Sequence, residues 1–215
     1  MPRLFLIDGG TATGKDTLGS KLAKYLNFKY IDSGKYYRLL TYLVNSRKLD
    51  YNDESNNLEL LKSLNVEFTN DKDYRSTILL DGVDMTSELT DINVVPAIQY
   101  IAQQKSIRAF INSRFIKEAS ENNLVMTGRA LAQQTFNEYK IDKSFFIICD
   151  PHIAAKRRYL DLVKLDSDLD FNTIESKIVS RNKSDSNHLK ILDDMIVIDN
   201  SGTLEDSFSK IIANL

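Results

Sequence analysis

The chain has 215 residues, 42% of them hydrophobic and 27% charged, enough for one compact core with a modest insertion. A formal net charge of −2 speaks against a general nucleic-acid binder, and the single Cys149 excludes an internal disulfide and suits a reducing compartment. No stretch approaches the roughly 20 apolar residues of a membrane span, and the N-terminus runs into RLFLID with no room for a secretory signal; the expectation is a soluble, cytoplasmic protein.

In chain order, short apolar runs alternate with longer helical patterns. Leu4–Ile7, Phe28–Ile31, Leu124–Met126, Ser144–Ile148 and Met195–Ile198 read as core strands, each followed by Gly, Ser, Asp or Pro and a helix-like stretch. That alternation predicts βα units around a parallel sheet covered on both faces. The rhythm breaks in the middle, where NVEFT, NDKD, YRSTILL and DGVD give strand, turn, strand and turn, the chemistry of a hairpin. From Asp91 to Asn123 the spacing predicts a long, mostly helical segment, with Pro96 near its start or kinking it. Residues from about 45 to 122 are therefore expected to form an insertion on the core. The stretch DLVKLDSDLDFNTIESKIVSRNKSDSNH is polar and reads as a mobile flap.

Gly9-Gly10-Thr11-Ala12-Thr13-Gly14-Lys15 fits G-x-x-x-x-G-K, between a predicted strand and a predicted helix. In that context successive backbone N–H groups and the helix N-terminus solvate phosphate oxygens, Lys15 reaches the outer phosphates, and Thr17 offers a hydroxyl toward Mg²⁺ or the α-phosphate. Asp16, directly after the lysine, is open to two readings: a solvent-facing acid complementing the helix dipole, or a ligand for a metal or its water.

A second anion site is expected beside the first. YIDSGKYYR, residues 30–38, ends a strand in Asp32-Ser33-Gly34 and opens a helix carrying Arg38; VMTGRALAQQTF puts Arg129 at the end of another core strand. Two arginines at the carboxyl edge of one sheet fit bidentate capture of a second phosphate.

Taken together, the blocks IDGGTATGK-T, YIDSGKYYR, LLDGVDMTSEL, GRA, AKRR, SRNKSDS and VIDNSGTLED resemble, in order and across nearly the whole chain, the bacterial cytidylate kinases, ATP-dependent (d)CMP kinases among the nucleoside monophosphate kinases. The resemblance implies a three-layer α/β/α phosphate-loop fold with a five-stranded parallel sheet, an inserted monophosphate-binding domain at about 45–122 and a lid at about 156–188. It implies that residues 9–17 hold ATP with Mg²⁺, that Asp32, Ser33, Arg38 and Arg129 face the CMP or dCMP phosphate, and that Arg108 contacts cytosine. By the same resemblance Arg158 and Arg181 belong to the lid arginines, Asp185 binds the sugar hydroxyls, and the protein is a monomer with neither nucleic acid nor membrane among its partners.

Five positions depart from the pattern. Thr127 stands where the family carries a carboxylate supporting Mg²⁺, Ala130 where an aspartate helps bind cytosine, Gln99 where a serine contacts the base, His188 where there is a lid arginine, and Asp16 where there is a small residue. Two expectations follow: Asp16 substitutes for the carboxylate missing at 127, and base selection is relaxed or altered, with Gln99, both donor and acceptor, taking over part of it. His152, after Asp150-Pro151, is expected only to begin a helix. A nucleotide-binding protein without turnover stays open, whereas a GTPase switch does not fit, because no N-K-x-D follows a later strand.

Overall fold

The computed structural model describes residues 2–90, 97–163, 169–185 and 189–215. Five strands, β1 (Leu4–Gly9), β2 (Lys29–Asp32), β6 (Leu124–Gly128), β7 (Lys143–Ile148) and β8 (Ile196–Asp199), form one sheet in the order β2-β6-β1-β7-β8. All four pairings are parallel. Alternate residues of β1 leave on opposite faces and all are buried. Leu4 and Leu6 join a core with Tyr36, Leu39 and Leu40 of α2 (Gly34–Ser46) and Ile111 and Phe115 of α5 (Lys105–Glu121). Phe5 and Ile7 join another core with Leu18 and Leu22 of α1 (Lys15–Leu26) and Ile211 of α9 (Leu204–Ile212). Burial on both faces is why these strands read as unbroken apolar runs.

From β1 the chain crosses to β2 in one direction, and from β2, β6 and β7 in the other. A crevice therefore opens at the carboxyl end of β1, the place where such sheets bind ligands.

Between α2 and β6 lie α3 (Glu54–Ser63), an antiparallel sheet of β3 (Val66–Asn70), β4 (Ser76–Leu80) and β5 (Val83–Asp84), then α4 (Ile98–Gln103) and α5. Val66, Phe68 and Ile78 turn into the core shared with α2, while Glu67 and Thr69 point outward. The small sheet is tied to the edge of the large one by a single side chain. Asn70 Oδ1 accepts from the Tyr30 backbone N–H at 2.8 Å, and Asn70 Nδ2 donates to the Tyr30 carbonyl at 2.7 Å. The amide thus imitates a neighbouring strand on β2, satisfying an edge that would otherwise be open.

Among the described residues, the helical segment expected from 91 to 123 is instead two helices broken at Gln104, whose backbone is extended (φ −71°, ψ 119°). There Gln104 Nε2 donates to the Tyr51 carbonyl and Oε1 accepts from Asn57, while Glu54 Oε1 accepts the Ser106 N–H of the new helix at 2.7 Å. These contacts to α3 and its approach outcompete continuation of the helix. Pro96 lies outside the described residues.

The polar region expected as a flap contains α8 (Phe171–Asp185), which packs on α7 (Pro151–Leu162) through Ile174, Ile178 and Ala155, with Ala12 of the loop against them. The i, i+4 pair Ile174/Ile178 supplies a narrow apolar stripe on an otherwise charged helix.

Replacing Asn70 by Ala removes both strand-like hydrogen bonds and leaves the Tyr30 amide unsatisfied. The expected loss is about 1–3 kcal/mol of unfolding free energy in urea, with the nucleotide loop unaffected.

Candidate active site

The sheet register brings the loops together. Asp32 of β2 is the partner of Thr127 on β6, Asp8 of β1 the partner of Gly128, and Gly9 the partner of Ile147 on β7. Residues 9–17 wrap the carboxyl end of β1. Gly14 caps α1 in the left-handed conformation (φ 83°), and a Cβ there would lie 2.3 Å from Asn200 Nδ2, so no other residue fits. Asn200, after β8, donates to the Thr13 carbonyl at 2.8 Å and fixes the loop from behind.

The cations converge on this loop. Arg129 Nη2 donates to Thr11 Oγ1 at 2.6 Å, which places the guanidinium against the loop. Lys15 Nζ lies 3.5 Å from Asp16 Oδ2. Arg38 on α2 and Arg158 on α7 act on one another's charge and on Asp16. Burial and the nearby Arg38 both lower the Arg158 pKa, a cost that an anion in the crevice would offset. Arg181 sits half-buried on α8.

Two acids share the crevice and behave oppositely. Burial raises the pKa of Asp32, and the charge of Asp16 raises it further, against Arg38, Lys15 and Lys35. For Asp16, desolvation is outweighed by Lys15, the Thr127 hydroxyl and Arg38, so its pKa is lowered. Asp16 is the ionised partner, and half of its side-chain surface remains open to the crevice. Thr17 next to it is exposed. A carboxylate and a hydroxyl at a helix N-terminus are hard oxygen donors that fit Mg²⁺. Among the described residues there is no cluster of three or more His, Cys, Asp or Glu arranged to hold a metal.

The acceptor-side residues are distributed as follows. Ser33 is buried at the head of α2, and Asp32 Oδ1 accepts the Gly34 N–H at 2.9 Å. Arg108 on α5 faces the Tyr37 hydroxyl of α2, whose pKa burial raises and Arg108 lowers. Gln99 is exposed on α4. Asp185 ends α8, and His188 lies outside the described residues. His152 does more than begin α7: its Nδ1 lies 2.8 Å from Glu175 Oε1 and its ring 5.3 Å from Phe171, joining α7 to α8.

Several contributors escape a reading of the sequence. Lys35 Nζ donates to the Ser76 carbonyl and, desolvated beside Asp32, has a lowered pKa. Asn182 on α8 accepts the Thr11 N–H through Oδ1 at 2.9 Å, occupying a loop amide that a phosphate oxygen would use. Asp8 is fully buried and accepts from the Leu131 and Ala132 amides at 2.9 and 3.2 Å, setting the turn that carries Arg129. The signal for Asp8, an acid inside an apolar strand, is present in LFLIDG; those for Lys35 and Asn182 are not.

Two measurements probe these contacts. Burial raises the Asp8 pKa from 3.8 to about 6 against its two amide donors and Lys15. The native state then binds more protons than the unfolded one between about pH 4 and 6, so this group's contribution is full below that window and lost as pH rises through it. Asp8→Asn is expected to flatten the stability curve in that window by roughly 3 kcal/mol, read by urea unfolding across pH. Asn182→Ala is expected to speed hydrogen exchange at the Thr11 amide about tenfold, without changing exchange in β1.

Comparison with known proteins agrees with this geometry. The cytidylate kinase family model matches residues 5–215. The cytidylate kinase of Alkaliphilus oremlandii is 30% identical over 96% of this chain and 94% of its own length. That of Bacillus cereus is 27% identical over 96% and 93%. Among solved structures, shikimate kinase from Bacteroides thetaiotaomicron superposes with a TM-score of 0.53 at 13% identity over 99% of both chains, a likeness of fold. With the family model spanning nearly all 215 residues and a relative 30% identical over 96% of the chain, this chain belongs to the cytidylate kinase family, enzymes of ATP-dependent CMP and dCMP phosphorylation.

Proposed function

We propose that the protein transfers the γ-phosphoryl group of ATP to CMP or dCMP in the crevice between the loop at 9–17 and the head of α2, with Lys15, Arg129, Arg158 and Arg181 as the charge-neutralising groups. The observation that carries this is the convergence of Lys15, Arg38, Arg129 and Arg158 on the end of β1. Phosphoryl transfer asks for in-line positioning and neutralisation of the equatorial oxygens, and for no protein nucleophile. The amides of residues 10–14 and the N-terminus of α1 hold the triphosphate, and Lys15 reaches its outer oxygens. Arg38 and Arg129, with Ser33, hold the monophosphate, and Arg108 orients the base. α7 and α8, as a lid over about 156–188, bring Arg158, Arg181 and Asp185 over the reacting groups and exclude water. Thr17 and Asp16 would hold Mg²⁺, which when bound adds positive charge to the transferring group. The residues at about 45–122 act as the monophosphate-binding unit. The enzyme works as a cytoplasmic monomer on free nucleotides; among the described residues no helix is long and apolar enough to cross a membrane.

A second reading concerns the base. Ala130 is buried in a left-handed turn (φ 57°) at the end of β6 and ends at Cβ, so it offers a base no hydrogen bond. Loss of one such partner removes about 1–3 kcal/mol of discrimination, and the exposed Gln99 is the residue available to restore part of it.

Purified protein with ATP and Mg²⁺ is to be offered CMP, dCMP, UMP, AMP and GMP while ADP formation is followed. CMP and dCMP are expected to be phosphorylated, with kcat/KM for UMP within about 10- to 100-fold of CMP. A stricter preference for CMP overturns the relaxed-base reading. Absence of turnover with every acceptor overturns the kinase reading.

A further inference from the structure

Behind Asp16 lies a buried polar chain. Thr127 Oγ1 at the end of β6 is 2.9 Å from Asp16 Oδ1, and Tyr30 Oη of β2 is 2.8 Å from Thr127 Oγ1. Thr127 is completely buried and Tyr30 only 2% exposed. The donor directions follow from the groups present. An ionised carboxylate only accepts, so the single Thr127 proton goes to Asp16, and Tyr30 donates to Thr127. Burial, with the charges of Asp16 and Asp32, keeps the Tyr30 phenol protonated.

The backbone is shaped to let these three residues meet. Gly19 of α1 faces them, and a Cβ there would lie 2.4 Å from Thr127 Cγ2 and 2.8 Å from Tyr30 Cε2. Any side chain at 19 would push α1 away from β6 and break the Thr127–Asp16 bond. A satisfied network of this kind, drawn from three elements, fixes its terminal acceptor in one rotamer while leaving the outer oxygen, Oδ2, toward Lys15 and the crevice.

We propose that Tyr30 and Thr127 are positioning residues that orient the Asp16 carboxylate for the nucleotide-bound cation, so that the acid absent from the end of β6 is supplied from the first turn of α1 and held in place by a hydroxyl relay. The proposal rests on the reading of Asp16 as a cation-binding carboxylate. Thr127 itself points its proton at Asp16. Outer-shell hydrogen bonds of this type align a ligating carboxylate and typically account for 10- to 100-fold in metal affinity.

The test titrates Mn²⁺ into the protein saturated with ADP, following free Mn²⁺ by electron paramagnetic resonance, so that no turnover is needed. Tyr30→Phe and Thr127→Val, both close in shape to the residues they replace, are expected to weaken Mn²⁺ binding about 10-fold. Thr127→Ser, which keeps the hydroxyl, should stay within about 2-fold of the parent. Asp16→Asn should weaken it at least as much as Tyr30→Phe. ADP binding with EDTA present is expected to be unaltered in Tyr30→Phe, Thr127→Val and Thr127→Ser, which separates the effect from a collapse of the loop. If Asp16→Asn weakens Mn²⁺ binding while Tyr30→Phe and Thr127→Val do not, the relay is overturned and the cation role of Asp16 stands. If Asp16→Asn also leaves Mn²⁺ affinity unchanged, the reading beneath the proposal falls as well.

Discussion

One negative charge organises the carboxyl edge of this sheet. Asp16 is ionised in a crevice where Lys15, Arg38 and Arg158 would otherwise repel one another with no anion between them. Like charges held within a few ångströms in a partly desolvated site cost several kcal/mol, and an internal carboxylate offsets that cost while the crevice is empty. The neighbouring Asp32 has its pKa raised by burial and by the charge of Asp16. The Asp16 carboxylate, 3.5 Å from Lys15 Nζ, thus offsets part of the excess positive charge at this edge and leaves a net cationic crevice.

The alignment depends on distant packing. β2 carries Tyr30 and Asp32 and is an edge strand of the main sheet. Its free edge is held by Asn70 from the small sheet, whose Phe68 packs against Tyr36 of α2 and Phe115 of α5. The same body that carries Arg108 therefore also steadies the strand whose Tyr30 hydroxyl meets Thr127. On the opposite flank, Asn200 and Asp8 hold the two turns that aim Thr13 and Arg129. The two flanks of the crevice are thus braced through separate contacts.

Much of this was legible in the amino-acid order, for a physical reason. Parallel strands covered on both faces become continuous apolar runs, so LFLI, LVM and FFII announce themselves, and the glycine-lysine loop needs only its own few residues. What escaped depends on pairings far apart in the chain. Tyr30 reads as one more strand aromatic until the β2–β6 register sets it beside Thr127, 97 residues away. Gln104 sits in a helical pattern, and only its contacts with Tyr51 and Asn57 show why the helix stops there. The charge of α8 masked the Ile174/Ile178 stripe that packs it on α7. At Asp16 the local pattern gave no sign of the Thr127 hydroxyl, 111 residues away, that donates to its carboxylate.

The bond from Thr11 to Asn182 has a bearing on throughput. On the proposed reading, an entering triphosphate would first displace an internal acceptor, and its intrinsic affinity would be discounted by the fraction of molecules whose loop is free. The same acceptor is on hand when the diphosphate product begins to leave, and it can recapture the amide as each oxygen departs. A helix that competes mildly for the nucleotide's own seat trades a little tightness for faster turnover of occupants, an advantage wherever release rather than chemistry sets the pace.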